Sequence, residues 1–298
     1  MPQPKALILE DRGLLAVEGP DGRAFLQGLI SNDIEKAGPE RVIWAALLTP
    51  QGKFLHEFFV FSPEPGILLL DCEAARLADL KKRLSLYKLR SDVTLTDVTD
   101  SHCAAVFFGE GALEALELPA EAGRAKGDGP NQVAVDPRHP GLGARGVFKR
   151  PDGQTPPDLA GFAPGDRSDY DRLRISLGVP DGSRDLEVEK SILLENGFDE
   201  LHGIDWDKGC YMGQELTART RYRGLVKKRL LPVSFEGPAP APGTQVTRDG
   251  KDAGTVRSSA GERGLALLRL EHLDGALLAG ETRIKPLLPD WISLPEKA

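Results

Sequence analysis

The amino-acid sequence predicts an α+β fold with a small β-barrel at its C-terminus, and three features carry that reading. Apolar, β-prone segments at residues 42–48, 54–61 and 67–71 are separated by the turn sequences Pro50-Gln51-Gly52 and Ser62-Pro63-Glu64-Pro65-Gly66, and so form a sheet. Residues 73–87 follow with Leu77, Leu80, Leu84 and Tyr87 on one side, the pattern of an amphipathic helix packed on that sheet. Beyond Arg229 only short β-prone runs remain, parted by glycine turns, as in a small barrel. Strands and helices in this mixture point to α+β.

With 298 residues the chain exceeds one ordinary core and suggests two or three domains. A composition of 40% hydrophobic and 28% charged residues is that of a soluble globular protein. The formal net charge of −7 argues against a general nucleic-acid binder, and no stable nucleic-acid partner is expected. Cys72, Cys103 and Cys210 are an odd number without close spacing, which argues against a disulfide framework, excludes a C-x-x-C motif and favours a reducing compartment. No apolar run approaches the roughly 18 residues needed to span a membrane, so a membrane is not an expected partner. The N-terminal stretch lacks the character of a signal or transit peptide, which reads as a bacterial cytoplasmic protein or the mature form of a mitochondrial matrix one.

In chain order, residues 6–9 and 14–17 read as two strands around the turn Asp11-Arg12-Gly13. Phe25, Leu26, Leu29 and Ile30 then recur at helical spacing, and Ser31-Asn32-Asp33 ends that helix. Residues 93–98, 104–108 and 133–135 add strands, with a short helix near 111–118. Gly141-Leu142-Gly143-Ala144-Arg145-Gly146 spells the dinucleotide fingerprint G-x-G-x-x-G, but a turn precedes it and β-prone Val147-Phe148 follows it, so the strand-helix setting is missing. Residues 150–166 form a proline- and glycine-rich loop, expected to be mobile. Ser168 to Asp171 resembles a capping box opening a helix lined by Tyr170, Leu173 and Leu177, which Gly178 and Pro180 stop. In the last region Arg248-Asp249-Gly250-Lys251 is a hairpin turn. The expected division is residues 1–228, in two subdomains, followed by a barrel at 229–298.

The segment K-G-C-Y-M-G-Q-E-L-T-A-R-T at residues 208–220 concentrates the chemistry. Cys210 stands between glycines at what reads as a helix start, in a run of cations: Lys208, Arg219, Arg221, Arg223, Lys227, Lys228 and Arg229 face one acid, Glu215. Positive charge and a helix N-terminus both favour thiolate, the form that attacks electrophiles and ligates metals. Alternatively, Cys210 is a small buried hydrophobe and the arginines are a solvated helix face.

This segment resembles the signature of the YgfZ-type folate-binding proteins and their mitochondrial iron–sulfur assembly relatives, which are related to the T-protein (aminomethyltransferase) of the glycine cleavage system. F-L-Q-G-L-I-S-N-D at 25–33, D-P-R-x-P-x-L-G-x-R at 136–145 and Y-D-R-L-R-I-S-L-G-V-P at 170–180 extend the resemblance, and the barrel region resembles the family's C-terminal domain. It implies a T-protein-like folate-binding region, with Arg174 as the matching arginine. In I-L-L-E-N-G-F at 192–198, Glu195 matches the glutamate that faces the pterin ring, whose adjacent N–H donors suit a carboxylate; otherwise it is a solvated acid. Tyr211, Gln214 and Arg219 of the signature join Glu195, Arg174 and Glu57 as candidate cofactor-binding residues. In Gly52-Lys53-Phe54-Leu55-His56-Glu57, however, His56 and Glu57 stand where T-proteins carry the catalytic acid, a departure that argues against aminomethyl transfer.

The expected function is therefore a folate-binding protein that assists assembly or repair of iron–sulfur clusters, particularly those of 4Fe–4S enzymes, with Cys210 as the working thiol. Tetrahydrofolate is the implied cofactor. Because such clusters take four cysteine ligands, Cys210 would be a transient, shared cluster ligand, with an iron–sulfur carrier of the A-type scaffold class or a 4Fe–4S target enzyme supplying the rest. One alternative is a tetrahydrofolate-dependent aminomethyltransferase or demethylase using Glu57 or His56, and another is a folate-binding module without chemistry.

Overall fold

The computed structural model describes residues 3–153, 157–159, 161–224 and 226–294. The strands of the first half are β1 (Lys5–Ile8), β2 (Arg12–Glu18), β3 (Ile43–Leu48), β4 (Phe54–Phe61), β5 (Ile67–Glu73), β6 (Thr94–Asp97) and β7 (His102–Phe108). Among them lie the helices α1 (Gly22–Gln27) and α2 (Leu77–Lys88). Helix α3 (Ala112–Ala115) leads to β8 (Ala125–Asp128), β9 (Asn131–Val135), β10 (Ala144–Lys149) and β11 (Ala163–Pro164). Helices α4 (Arg167–Leu177), α5 (Gly182–Asp185) and α6 (Gln214–Tyr222) follow. The chain ends in β12 (Lys228–Glu236), β13 (Gln245–Arg248), β14 (Lys251–Ala260), β15 (Arg263–Arg269), β16 (Leu277–Ala279) and β17 (Thr282–Pro286).

The chain forms two compact units, and it passes between them more than once. One comprises Met1–Leu48, His56–Arg167 and His202–Met212; the other comprises Thr49–Leu55, Ser168–Leu201 and Gly213–Ala298.

In the first unit a six-stranded sheet runs β11-β1-β7-β10-β9-β8, and a five-stranded one, into which β4 continues, runs β3-β4-β5-β2-β6. The two strands flanking Asp11 do not form a hairpin with each other. β1 pairs with β7 and β11, β2 pairs with β5 and β6, and Gly13 is an ordinary strand residue inside β2. The turn itself is real, closed by Arg12 N–H donating to the Leu9 carbonyl, and it carries the chain from one sheet to the other. Helix α2 buries Leu77, Leu80 and Leu84, but Tyr87 is 39% exposed, because it lies in the last turn, past the sheet-facing stripe. The G-x-G-x-x-G sequence is a 3-10 turn at Pro140–Leu142 leading into strand β10, with no helix after it. Part of the 150–166 loop, residues 154–156 and 160, lies outside the described residues; within the remainder, β11 pairs in parallel with β1.

In the second unit β12-β15-β14-β13-β16-β17 close into a barrel around Leu231, Val233, Val246, Val256, Leu268 and Ile284. Asp249 and Gly250, both at positive φ, make the tight β13–β14 turn that their sequence requires. Helix α4 begins at Arg167, so Ser168 sits inside it rather than at its cap. Its buried face is Tyr170, Asp171, Arg174 and Ile175, with Leu173 and Leu177 only half-buried. No helix among the described residues is long and apolar enough to cross a membrane.

Candidate functional site: a glycine-flanked thiol loop and a half-buried carboxylate

In the first unit the segment before Cys210 is held by its own cation. Lys208 Nζ donates to the carbonyls of Gln27 and Ile30, both at 2.6 Å, and so caps the C-terminal end of α1, where helix carbonyls lack partners. Gln27 reciprocates by donating to the Lys208 carbonyl at 3.3 Å, and Met212 N–H donates to the Gly28 carbonyl. The Lys208 ammonium also lies 5.0 Å from the centroid of the Tyr211 ring. Burial lowers the Lys208 pKa to about 8, against the pull of Asp33 and Asp205. Tyr211 is buried under this clamp, whereas Cys210 is exposed, beside Gly209 at φ +89°. Cys72 and Cys103 are both buried in strands, so Cys210 alone of the three thiols is presented to solvent. Beside this loop, Asn32, Lys36, Trp44, His202 and Asp205 line a polar cavity of about 420 Å³.

In the second unit the signature continues as α6, entered through Gly213 at φ +81°. The Pro50-Gln51-Gly52 turn packs on this entry so closely that a Cβ on Gly52 would lie 2.6 Å from the Gly213 carbonyl oxygen. Gln214 is the first helical residue and is half-buried; Arg219 is exposed and carries no ion pair among the described residues. Arg221, Arg223, Lys227 and Tyr222 are exposed as well, but Arg229 is buried, bonded to the Leu194 carbonyl at 2.8 Å and to Glu200 at 2.7 Å. The expected basic run therefore presents fewer cations than its sequence suggests.

Glu195 sits in a 3-10 turn, Leu193–Asn196. Its carboxylate is half-buried and makes no hydrogen bond or ion pair among the described residues. Desolvation raises its pKa, partly opposed by the charges of Lys228 and Lys53.

Two candidates have other work. Arg174 is fully enclosed: Nε bonds Asp171 at 2.6 Å, one terminal nitrogen bonds Asp185 at 2.7 Å and the other reaches Ser258 on β14 at 3.3 Å. With its donors committed to α4, α5 and the barrel, Arg174 is a structural pin and offers nothing to a ligand. Glu57 is equally committed. It accepts from Arg12 at 2.7 Å and from the Trp44 indole N–H, in a buried network where Arg12 also bonds Asp71 at 2.6 Å and Arg145 bonds Asp71 at 2.5 Å. Asp136 and Arg138 complete it, paired at 2.8 Å, and the Arg145 guanidinium lies 4.0 Å from the Phe59 ring centroid. On alternating β4, His56 points the other way, where it bonds Asp79 of α2 at 2.8 Å.

The sequence reading missed Lys208 as an anchor and missed the Arg174 network. An Asp-x-x-Arg spacing, Asp171 to Arg174, is the one local signal for the latter, since those positions adjoin on a helix.

These features define a two-sheet α+β protein with a C-terminal barrel, whose one exposed thiol is carried on a clamped loop. Its fold is that of aminomethyltransferases of the glycine cleavage system: the enzyme from Bartonella henselae superposes with a TM-score of 0.77 over 97% of this chain and 86% of its own, at 11% identity. Residues 227–294 match the family described as CAF17, C-terminal beta-barrel domain. The iron–sulfur cluster assembly factor IBA57, mitochondrial, of Mus musculus is 34% identical over 95% of this chain and 84% of its own length. Its Homo sapiens counterpart is 33% identical with the same coverage, and the Neurospora crassa homolog is 31% identical over 92% of this chain and 72% of its own. The chain belongs to the IBA57 family of iron–sulfur cluster assembly factors.

Proposed function

We propose that this protein assists the assembly or repair of iron–sulfur clusters by lending Cys210 as one ligand of a cluster shared with a partner protein. The observation that carries this reading is the contrast among its thiols: Cys210 is exposed on a loop tied down two residues earlier by Lys208, while Cys72 and Cys103 are enclosed. An anchored, accessible thiolate can enter a metal's coordination shell at little ordering cost. One thiolate does not complete the usual set of four, so the remaining ligands come from the partner, a carrier of the A-type scaffold class or a 4Fe–4S client enzyme. The exposed Arg219, Arg221 and Arg223 raise the local concentration of acidic partners around a chain that is otherwise negative.

Reduced folate fits the second unit. Glu195 is a half-buried carboxylate without a hydrogen-bond or ion-pair partner among the described residues, the kind of acceptor that adjacent N–H donors of a pterin satisfy, and Lys53 and Lys228 near it suit the anionic remainder of such a molecule. Glu195, with Gln214 and Arg219, would hold it. Tetrahydrofolate supplies one-carbon chemistry when bound, but Glu57 is sealed among Arg12, Trp44 and Asp71, and a carboxylate in that setting does not meet a substrate's proton. That disfavours the aminomethyltransferase reading.

The test is complementation of cells lacking this protein, with activity of a 4Fe–4S enzyme as the readout. Wild type restores activity and Cys210→Ser does not, while circular dichroism shows the serine protein folded. Full rescue by the serine protein would overturn the thiol assignment. Tetrahydrofolate titration of Glu195→Ala separately tests the folate reading, which predicts weakened binding.

A further inference from the structure

We infer that the C-terminal end of α2 is a docking element for an anionic lipid surface, a role independent of the thiol chemistry above. Six large hydrophobic side chains are exposed among the described residues, and three of them fall within four positions: Leu86 at 66%, Tyr87 at 39% and Leu89 at 89%. Leu86 projects from the face of α2 opposite buried Leu80 and Leu84, one helical turn beyond exposed Lys82. Leu89, just past the helix, is held at φ +43° and ψ −107°, a backbone conformation that a residue with a side chain rarely adopts. A fold that strains its backbone at a position where leucine contacts almost nothing has no packing reason to place leucine there.

The charges around this tip identify the partner. From Lys81 to Arg90 the chain carries Lys81, Lys82, Arg83, Lys88 and Arg90 and no acid, within a protein of net charge −7. Arg83 is engaged with Asp79. The side chains of Lys81, Lys82, Lys88 and Arg90 make no ion pair or hydrogen bond among the described residues. Facing acids are few: Asp21, whose carboxylate accepts from Asp92 N–H, lines the shallow depression beside Tyr87, Leu89 and Arg90. Protruding leucines ringed by unpaired cations, with an aromatic at the boundary, suit a bilayer whose acyl region takes the apolar tips while its phosphates take the lysines and arginine. A protein partner would need a matching concavity for Leu89; a lipid headgroup layer deforms around it. This is attachment to a surface, distinct from spanning, for which no described helix is long and apolar enough.

The experiment is flotation of the full-length protein with vesicles of phosphatidylcholine alone and of phosphatidylcholine mixed with phosphatidylglycerol. Expected are binding to the anionic vesicles only, release by salt beyond a few hundred millimolar, and a loss of at least about tenfold in partitioning for Leu86→Asp with Leu89→Asp. Lys82→Glu with Arg90→Glu lowers partitioning similarly. Leu89→Gly is the decisive variant, because glycine tolerates the backbone: its melting temperature rises while vesicle binding falls, so loss of binding cannot be ascribed to unfolding. Absence of binding to anionic vesicles at low salt overturns the inference. So does binding that survives both leucine substitutions, or capture by soluble polyglutamate with the same dependence on Lys82 and Arg90 and none on vesicles, which would mark an acidic protein as the partner.

Discussion

Arg12 on β2 and Glu57 on β4 form an ion pair of 2.7 Å across β5, the strand between them in the sheet, with both side chains 3% or less exposed. The pair gives a structural role to a position that the sequence resemblance matched to a catalytic acid. Arg12, Arg138 and Arg145 balance Glu57, Asp71 and Asp136 in number, and the ring of Phe59 lies among the three guanidinium groups. Removing one member leaves a buried charge without its counterpart, which costs about 3–5 kcal/mol in such sites. Glu57→Ala is therefore expected to lower unfolding free energy by about 3 kcal/mol in urea melts, the lower end because Arg12 keeps Asp71. Glu57→Gln, which retains an acceptor for the Trp44 indole, loses less. If Glu57 were instead a catalytic acid, either variant would leave stability nearly unchanged.

His56 sets the acid side of the stability profile. Burial lowers its pKa from 6.5 to about 4, with Arg76 adding to the shift and Asp79 opposing it. Above pH 6.5 the ring is neutral in both folded and unfolded chains. Between pH 6.5 and 4 the unfolded chain binds a proton that the folded one refuses, so stability falls as pH falls through this window, by a total of roughly 3 kcal/mol. His56→Gln, whose amide can still donate to Asp79, flattens the dependence of melting temperature on pH between 4 and 6.5. Burial also lowers the pKa values of His102 and His139, so a smaller slope of the same sign persists. An unchanged slope would contradict the assignment.

Much of this architecture was legible because one-dimensional patterns report it directly. Apolar, β-prone runs between turn residues located β3, β4 and β5, and the Asp249-Gly250 pair located a barrel hairpin. For Cys210 the sequence left a reactive thiol and a buried hydrophobe both open, and the folded chain shows the thiol exposed. What was not legible depends on partners remote in the chain. Leu9 and Arg12 look like a hairpin turn locally, yet β1 pairs with β7 about a hundred residues later. The roles of Arg174 and Glu57 depend likewise on Ser258 and Trp44, and no local spacing encodes either contact. Lys208 reads as one more cation in a basic run, and only the folded chain shows its ammonium on the carbonyls of α1.

Gly52 offers a test of how the start of α6 is positioned. A Cβ there would approach the Gly213 carbonyl oxygen and the Leu216 Cβ to 2.6 Å each, on backbone already at φ +80°. Gly66 shares the positive φ, at +82°, but a Cβ on it would meet nothing within 4 Å. Gly66→Ala should therefore cost only the backbone term, about 1 kcal/mol, and Gly52→Ala about 2–3 kcal/mol, the excess being the displaced helix entry. Equal effects of the two substitutions would mean that the turn does not bear on α6.

The last prediction concerns the clamp on the thiol loop. Lys208→Met keeps the length of the side chain and its contact with Tyr211 but removes the donor to the Gln27 and Ile30 carbonyls. Two carbonyl acceptors, one on half-buried Gln27 and one on buried Ile30, lose this donor, at a cost of about 2 kcal/mol. The local consequence matters more, because the loop carrying Cys210 loses its side-chain tether and keeps the backbone bond of Met212 to Gly28. In native protein iodoacetamide should label Cys210 alone, since Cys72 and Cys103 are buried and burial pushes the Cys72 thiol up to about 12. Amide hydrogen exchange at residues 208–212 should accelerate in Lys208→Met, and iron–sulfur enzyme activity in complemented cells should fall although Cys210 itself is intact and labelled. Unaltered exchange would show that Met212 and Gly28 hold the loop without the lysine, and the thiol's placement would then rest on the backbone alone.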